Sequence, residues 1–190
     1  MNQNGGCCLL SVDGTDFSIN EPSPFSSIWF SHKFKGPGLR YEIALAIQTG
    51  DIAWVHGPFP CGQLTDLGIF RLGLKNRLLP GERVEADAIY TEVQCDGPFD
   101  YCFSVEQYKA KFKVRARHET VNRRFTQFGI LAEKFRHPKE KDVHVFMATA
   151  VLTHITMKTG ILFSQLTTEH IMVVDLMHSI YVLQPFISYR

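Results

Sequence analysis

The sequence predicts an α/β domain, a sheet with helices packed against it, and three stretches predict it. Tyr41 to Gln48 alternate with the period of a strand: Tyr41, Ile43, Leu45 and Ile47 take one face, Glu42, Ala44, Ala46 and Gln48 the other. Thr49-Gly50-Asp51 is a tight turn, and Ile52 to His56 pairs back as a hairpin. Val143, Phe146, Met147, Ala150, Val151, His154 and Ile155 keep the i, i+3, i+4 spacing of a helix. Between these lies a basic amphipathic stretch, Lys109 to Phe128, in which Val114, Val121, Phe125 and Phe128 share one helical face.

The remaining elements follow in order. Cys7 to Val12 is a short apolar run that ends at Asp13-Gly14, the pattern of a buried strand delivering a carboxylate to a sheet edge. Glu21 to Ser27 is a Pro/Ser loop, Ile28 to Phe34 an extended segment, and Lys35 to Gly38 a turn. Gly57-Pro58 and Pro60 end the hairpin. Thr65 is an N-cap, with Asp66 in the first turn of a helix whose apolar face is Leu67, Phe70 and Leu74. Pro80-Gly81 closes that unit, Arg83 to Ala86 is a short strand ending at Asp87, and Glu92 to Glu106 is a loop. Asp142 caps the last helix and Gly160 ends it.

The chain has 190 residues, enough for one domain with a core, and its 45% apolar and 21% charged fractions are those of a soluble globular protein. Its net charge of +1 means that nucleic-acid affinity has to come from a local patch. Five scattered cysteines without a CxxC pair read as reduced thiols. No signal peptide or membrane-length apolar run is visible, so the expected protein is soluble and intracellular. No GxSxG, GxGxxG, P-loop or HExxH pattern occurs, which leaves triad hydrolases, dinucleotide enzymes, NTPases and zincins without support.

Chemistry concentrates in the acids. The basic stretch carries Lys109, Lys111, Lys113, Arg115, Arg117, Arg123 and Arg124 but one carboxylate, Glu119. Asp13 and Asp87 close two strands that lie side by side if both belong to one sheet, and a helix crossing that edge adds Glu119. Three converging carboxylates suit two Mg²⁺ or Mn²⁺ ions, hard cations that prefer oxygen. Two such ions about 3.5–4 Å apart can activate the attacking oxygen and stabilise the leaving oxygen of a phosphodiester. Lys113, Arg115, Arg117, Arg123 and Arg124 would neutralise its phosphates.

Each residue also has a plainer reading. Asp13 before Gly14 fits a turn, with Asp16 an alternative that faces differently. Asp66 fits a helix N-terminal charge, and Asp87 the cap of the next turn. Glu119 fits an ion pair with Arg115 or Arg123. His154, Trp29 and Trp54 read as core. Taken singly the plain readings win; the order of the acids along strands and helices favours a metal site.

In that order the chain resembles the Harbinger/PIF-type transposases, members of the DDE endonuclease superfamily. Ser11-Val12-Asp13-Gly14-Thr15 is similar to the family's DGT motif with the first catalytic Asp. Gly57 to Phe70 resembles its G-x-x-x-D-x-x-x-F stretch, whose acid, here Asp66, is counted among the metal ligands of relatives. Glu85 to Tyr90 resembles the D-x-G-Y motif with the second Asp, although Ile89 stands where the family has Gly. Arg115-Ala116-Arg117-His118-Glu119 resembles R-x-x-x-E with the final Glu.

The likeness runs from about Leu9 to Ile155. It implies an RNase H-like mixed sheet flanked by helices. It also implies a catalytic set of Asp13, Asp87 and Glu119, with Asp66 a further metal ligand, and two bound Mg²⁺ or Mn²⁺ ions. The implied activity is metal-dependent hydrolysis at transposon ends followed by strand transfer into target DNA, in the nucleus, beside a Myb-like partner protein. Residues 1–166 would form the catalytic domain and 167–190 a divergent tail. A helical, DNA-binding segment would be expected upstream, where twelve residues precede Asp13. The rival expectations are a binding module that keeps the fold without catalysis, and a nuclease of the same fold acting on RNA or hybrids.

Overall fold

The computed structural model describes residues 7–98, 100 and 104–160. The expected tail, 167–190, lies outside the described residues. The architecture is mixed α/β: one six-stranded sheet flanked by helices. The strands are β1 (Cys7–Ser18), β2 (Phe30–Ser31), β3 (Gly36–Ala46), β4 (Ile52–Pro60), β5 (Glu82–Glu85) and β6 (Cys95–Asp96). The helices are α1 (Asp66–Leu72), α2 (Val105–Phe125), α3 (Gly129–Ala132) and α4 (Asp142–Thr159).

β1 is central. On one side it pairs antiparallel with β3, which pairs antiparallel with β2 and β4. On the other it pairs parallel with β5, which pairs parallel with β6. The hairpin expected at Thr49–Asp51 joins β3 to β4.

Alternation along β1 assigns each side chain to a layer. Phe17, opposite Leu39, joins Tyr41, Ile43 and Leu45 under α2 and α4, where Val121, Phe125, Phe146 and Ala150 fill the larger core. Tyr41 and Phe146 stack there with ring centroids 3.7 Å apart. Val12 and Ala44 face the other way, into a smaller core with Phe70 and Leu74, Val84, Ala86, Tyr90 and Cys95. Trp29 and Trp54 are half-buried at the margins of these cores.

Several elements depart from their sequence expectations. β1 does not stop at Val12: its backbone pairing with β3 continues through Asp13↔Ile43 to Ser18↔Gly38, so Asp13 lies within the strand. The apolar run had ended, but ladder hydrogen bonds do not require apolar side chains. β4 likewise runs on through Gly57-Pro58 to Pro60, on the flank of β3 where its lost N–H groups disturb no inner ladder. The expected loop from Glu92 to Glu106 contains β6, too short to show a period. Ile28 to Phe34 is a 3₁₀ turn, the two-residue β2 and a turn rather than one extended segment.

α2 starts at Val105, earlier than the basic stretch, because Ser104 and Gln107 form a capping box. Thr65 caps α1 as expected, accepting the Gly68 N–H at 3.2 Å. Asp142 is not a cap: it opens α4 but its carboxylate is buried and accepts the Tyr41 hydroxyl. Gly160 ends α4 with φ of 68°, the left-handed geometry that a glycine takes without strain. Among the described residues no helix is long and apolar enough to cross a membrane.

Candidate active site

Ser11 pairs with Glu85, the last rung of the parallel β1–β5 ladder. Asp13 lies two residues beyond that rung within β1, and Asp87 lies two residues beyond it, past the end of β5 at the start of a turn, so both acids follow the same end of the ladder. Asp13 Oδ1 accepts the Gly14 N–H at 2.8 Å. Burial pushes the Asp13 carboxyl up to about 6; the charges of Asp66 and Asp87 push the same way, against Lys33 and the Gly14 amide. These acids therefore sit within electrostatic range of one another.

Asp87 is half-exposed. Its Oδ1 accepts the Ala88 N–H at 2.8 Å and Arg115 Nη2 at 2.9 Å. Its carbonyl accepts the Tyr90 N–H, so the turn-capping role also holds. Asp66 stands at the first position of α1, and its carboxylate lies over Gly14: a β-carbon there would be 2.2 Å from Asp66 Oδ1. That close approach is what the glycine in the Asp13-Gly14-Thr15 stretch permits. Arg40 Nη1 is 3.2 Å from Asp66 Oδ1 but makes no well-directed hydrogen bond to it, and that oxygen is left without a hydrogen-bond partner.

Asp16 is structural. Arg40 donates to it through Nε at 2.7 Å and Nη2 at 2.9 Å, and Ser31 Oγ at 2.6 Å. Burial alone would raise Asp16; these partners outweigh it and hold the carboxyl below its usual range.

Glu119 is exposed on α2 and not on its inner face. The buried positions are Val114, His118, Val121 and Phe125, so His118 takes the inward place one residue earlier, and Phe128 lies past the helix end. His118 Nε2 is 2.9 Å from Ser11 Oγ, which pins α2 to β1 near Asp13. Burial lowers the imidazole to about 4, so it is neutral at physiological pH. Lys111, Arg115 and Glu119 are spaced i, i+4, i+8 along one flank of α2. Lys111 Nζ meets Glu85 at 3.1 Å and Arg115 meets Asp87 at 2.9 Å, so Glu119 stands one turn further along the same stripe. Arg115 thus pairs with Asp87 instead of Glu119.

The five basic residues do not form one cationic face. Lys113 and Arg123 are exposed, Arg115 holds Asp87, Arg117 donates to the Ile47 carbonyl, and Arg124 reaches Thr156 Oγ1 at 3.4 Å. Composition counts charges along the chain, whereas helical geometry spreads them around it. Phe112 is also exposed on α2, an aromatic that its basic neighbours hid in the sequence.

Lys33 escaped the sequence reading altogether. The turn between β2 and β3 folds it back over β1, where Nζ donates to the Gly14 carbonyl at 2.8 Å. No local pattern marks it; tertiary pairing alone delivers it. Among the described residues, the set of three potential ligand atoms lying within 4.8 Å of one another is Cys8, Glu85 and Asp96, away from the expected acids. Its carboxylates are already met by Lys111 at 3.1 Å and by Arg83 Nε at 2.7 Å, and burial pushes the Cys8 thiol up. It is an internal ion-pair cluster. Cys8, Cys61 and Cys95 are free thiols. No protein-family model, curated protein or solved structure matches the chain.

Proposed function

We propose that the chain is a divalent-metal-dependent DNA endonuclease domain of the RNase H-like, Harbinger-type transposase kind. The observation that carries this reading is that Asp13 on β1 and Asp87, two residues past the end of β5, both follow the Ser11↔Glu85 rung, the last of the parallel β1–β5 ladder. The sheet supports it. It is a mixed sheet flanked by helices, as the resemblance implies: β4, β3 and β1 pair antiparallel, and β5 and β6 run parallel to β1. Asp66 at the start of α1 and Glu119 on α2 are the helical carboxylates that this reading adds.

The donor set fits Mg²⁺ or Mn²⁺. It offers oxygen ligands and an acid raised chiefly by burial, with the charges of Asp66 and Asp87 pushing the same way. Bound there, such ions would polarise the phosphate and lower the pKa of the attacking water. Asp13, Asp87 and Glu119 would hold them, with Asp66 a further candidate. Lys113 and Arg123, both exposed, would steer the DNA backbone, and Phe112 would offer a face for an unpaired base.

A second reading has its own observation. Lys33 and Arg115 already supply positive charge to Asp13 and Asp87, as a binding module that had lost catalysis would require. Nicking of supercoiled plasmid in Mn²⁺ tests between them. Catalysis predicts nicking by the wild type and none by Asp13→Asn or Asp87→Asn. DNA binding without nicking, unaffected by chelator or by Asp87→Asn, would support the binding module. Cleavage of RNA with no cleavage of DNA would move the substrate to RNA.

A further inference from the structure

The first part of α2, Val105 to Lys113, contains no buried residue; the buried positions of the helix begin at Val114. Tyr108 is 47% exposed there and Phe112 65%. Single exposed apolar side chains are ordinary, but these two aromatics are neighbours at i, i+4 on one helix face.

That face continues into the proposed active site. Tyr108, Phe112, Arg115, Glu119 and Arg123 are spaced i, i+4, i+7, i+11 and i+15, one stripe of a helix. Arg115 on this stripe donates to Asp87 at 2.9 Å, and Phe112 stands less than one turn before it. Charge selects the kind of ligand. Lys109 and Lys113 directly follow the two aromatics and are exposed. Glu106, two residues before Tyr108, falls on another side of the helix, so the stripe carries no acid before Glu119. A ligand for this face has to be anionic along its length and offer flat apolar surfaces. An unpaired nucleic-acid strand does both, whereas a duplex keeps its base faces inside the stack.

We propose that Tyr108 and Phe112 are a stacking platform for unpaired bases of the DNA strand that passes Asp87, with Lys109 and Lys113 on its phosphates. The proposal rests on the nuclease reading above and narrows its substrate to DNA with an unpaired strand beside the scissile bond.

Fluorescence anisotropy on the full chain tests it, with one labelled DNA oligonucleotide presented as a single strand and as a blunt duplex. Chelator is present throughout, which keeps metal-dependent cleavage out of the readout. Phe112→Ala should weaken single-strand binding at least about fivefold and change duplex binding less than about twofold. Tyr108→Ala should act in the same direction, and Phe112→Trp should bind as the wild type does. Lys113→Ala should weaken both forms alike and flatten the salt dependence. All three positions are exposed, so each variant should melt with the wild type. If Phe112→Ala binds the single strand as the wild type does, or loses both forms equally, the platform is overturned. If Phe112→Ala turns a dimer into a monomer and leaves DNA binding unchanged, the stripe is an interface between copies and the platform is again overturned. A wild type that binds neither form overturns it whatever plasmid nicking shows. Binding that behaves as expected in a protein that does not nick plasmid in Mn²⁺ keeps the platform and removes the catalytic reading.

Discussion

A β-carbon on Gly14 would stand 2.2 Å from Asp66 Oδ1. This contact ties β1 to α1 and makes the glycine after Asp13 a packing requirement. Gly14→Ala must push the Asp66 carboxylate aside, and overpacking of this kind costs about 1–3 kcal/mol. Asp66→Ala removes the obstructing atoms, so the double variant should recover most of that loss. Chemical denaturation of the two single variants and the double variant measures the coupling. Simple additivity would show that Asp66 does not lie over Gly14.

Asp13 gives a pH signature. Its folded pKa, pushed up to about 6, exceeds the ordinary value of 3.8. Below pH 3.8 both folded and unfolded chains hold the proton. Between 3.8 and about 6 the unfolded chain releases it first, so this residue makes the metal-free protein less stable as pH rises. His118, whose folded pKa is depressed to about 4, acts oppositely over an overlapping range. The wild type and Asp13→Asn should therefore be compared at each pH. Relative to wild type, the Asn variant should gain stability from pH 4 to pH 6 and hold that gain above. Melting in chelator across this range checks it; a constant difference would mean that Asp13 is not raised.

Arg115 meets Asp87 at 2.9 Å with both side chains about half exposed. Such a pair contributes little to folding, and Arg115→Ala should change stability by less than about 1 kcal/mol. It should nonetheless tighten Mn²⁺ binding, because a cation competing for Asp87 is removed. Calorimetry on that variant decides: weaker Mn²⁺ binding would place Arg115 in support of the site and not in competition with it.

What the sequence disclosed and what it hid divide along physical lines. The β3–β4 hairpin, the Thr65 cap and the Gly160 stop are local and were legible, since period and capping act between near neighbours. That the strands ending near Asp13 and Asp87 lie side by side followed from the order of elements. Lys33, Glu42 and the inward turn of His118 did not, because each depends on which strand lies beside which. Glu42 looked like the polar face of an alternating strand, yet a second layer containing α1, Leu74 and Tyr90 covers that face. The basic stretch misled in another way: its seven cations are real, but four turn back onto the protein, Lys111 to Glu85, Arg115 to Asp87, Arg117 to the Ile47 carbonyl and Arg124 to Thr156.

Mn²⁺ binding by calorimetry, in wild type, Asp13→Asn and Asp87→Asn, tests the central claim most directly. Convergence of these acids on metal predicts binding by the wild type that is lost or severely weakened in both variants, with each variant still folded. A folded wild type that takes up no Mn²⁺, or variants that bind it as the wild type does, would contradict the claim. The position of Asp13 and Asp87 beyond the Ser11↔Glu85 rung would then be a feature of the sheet alone.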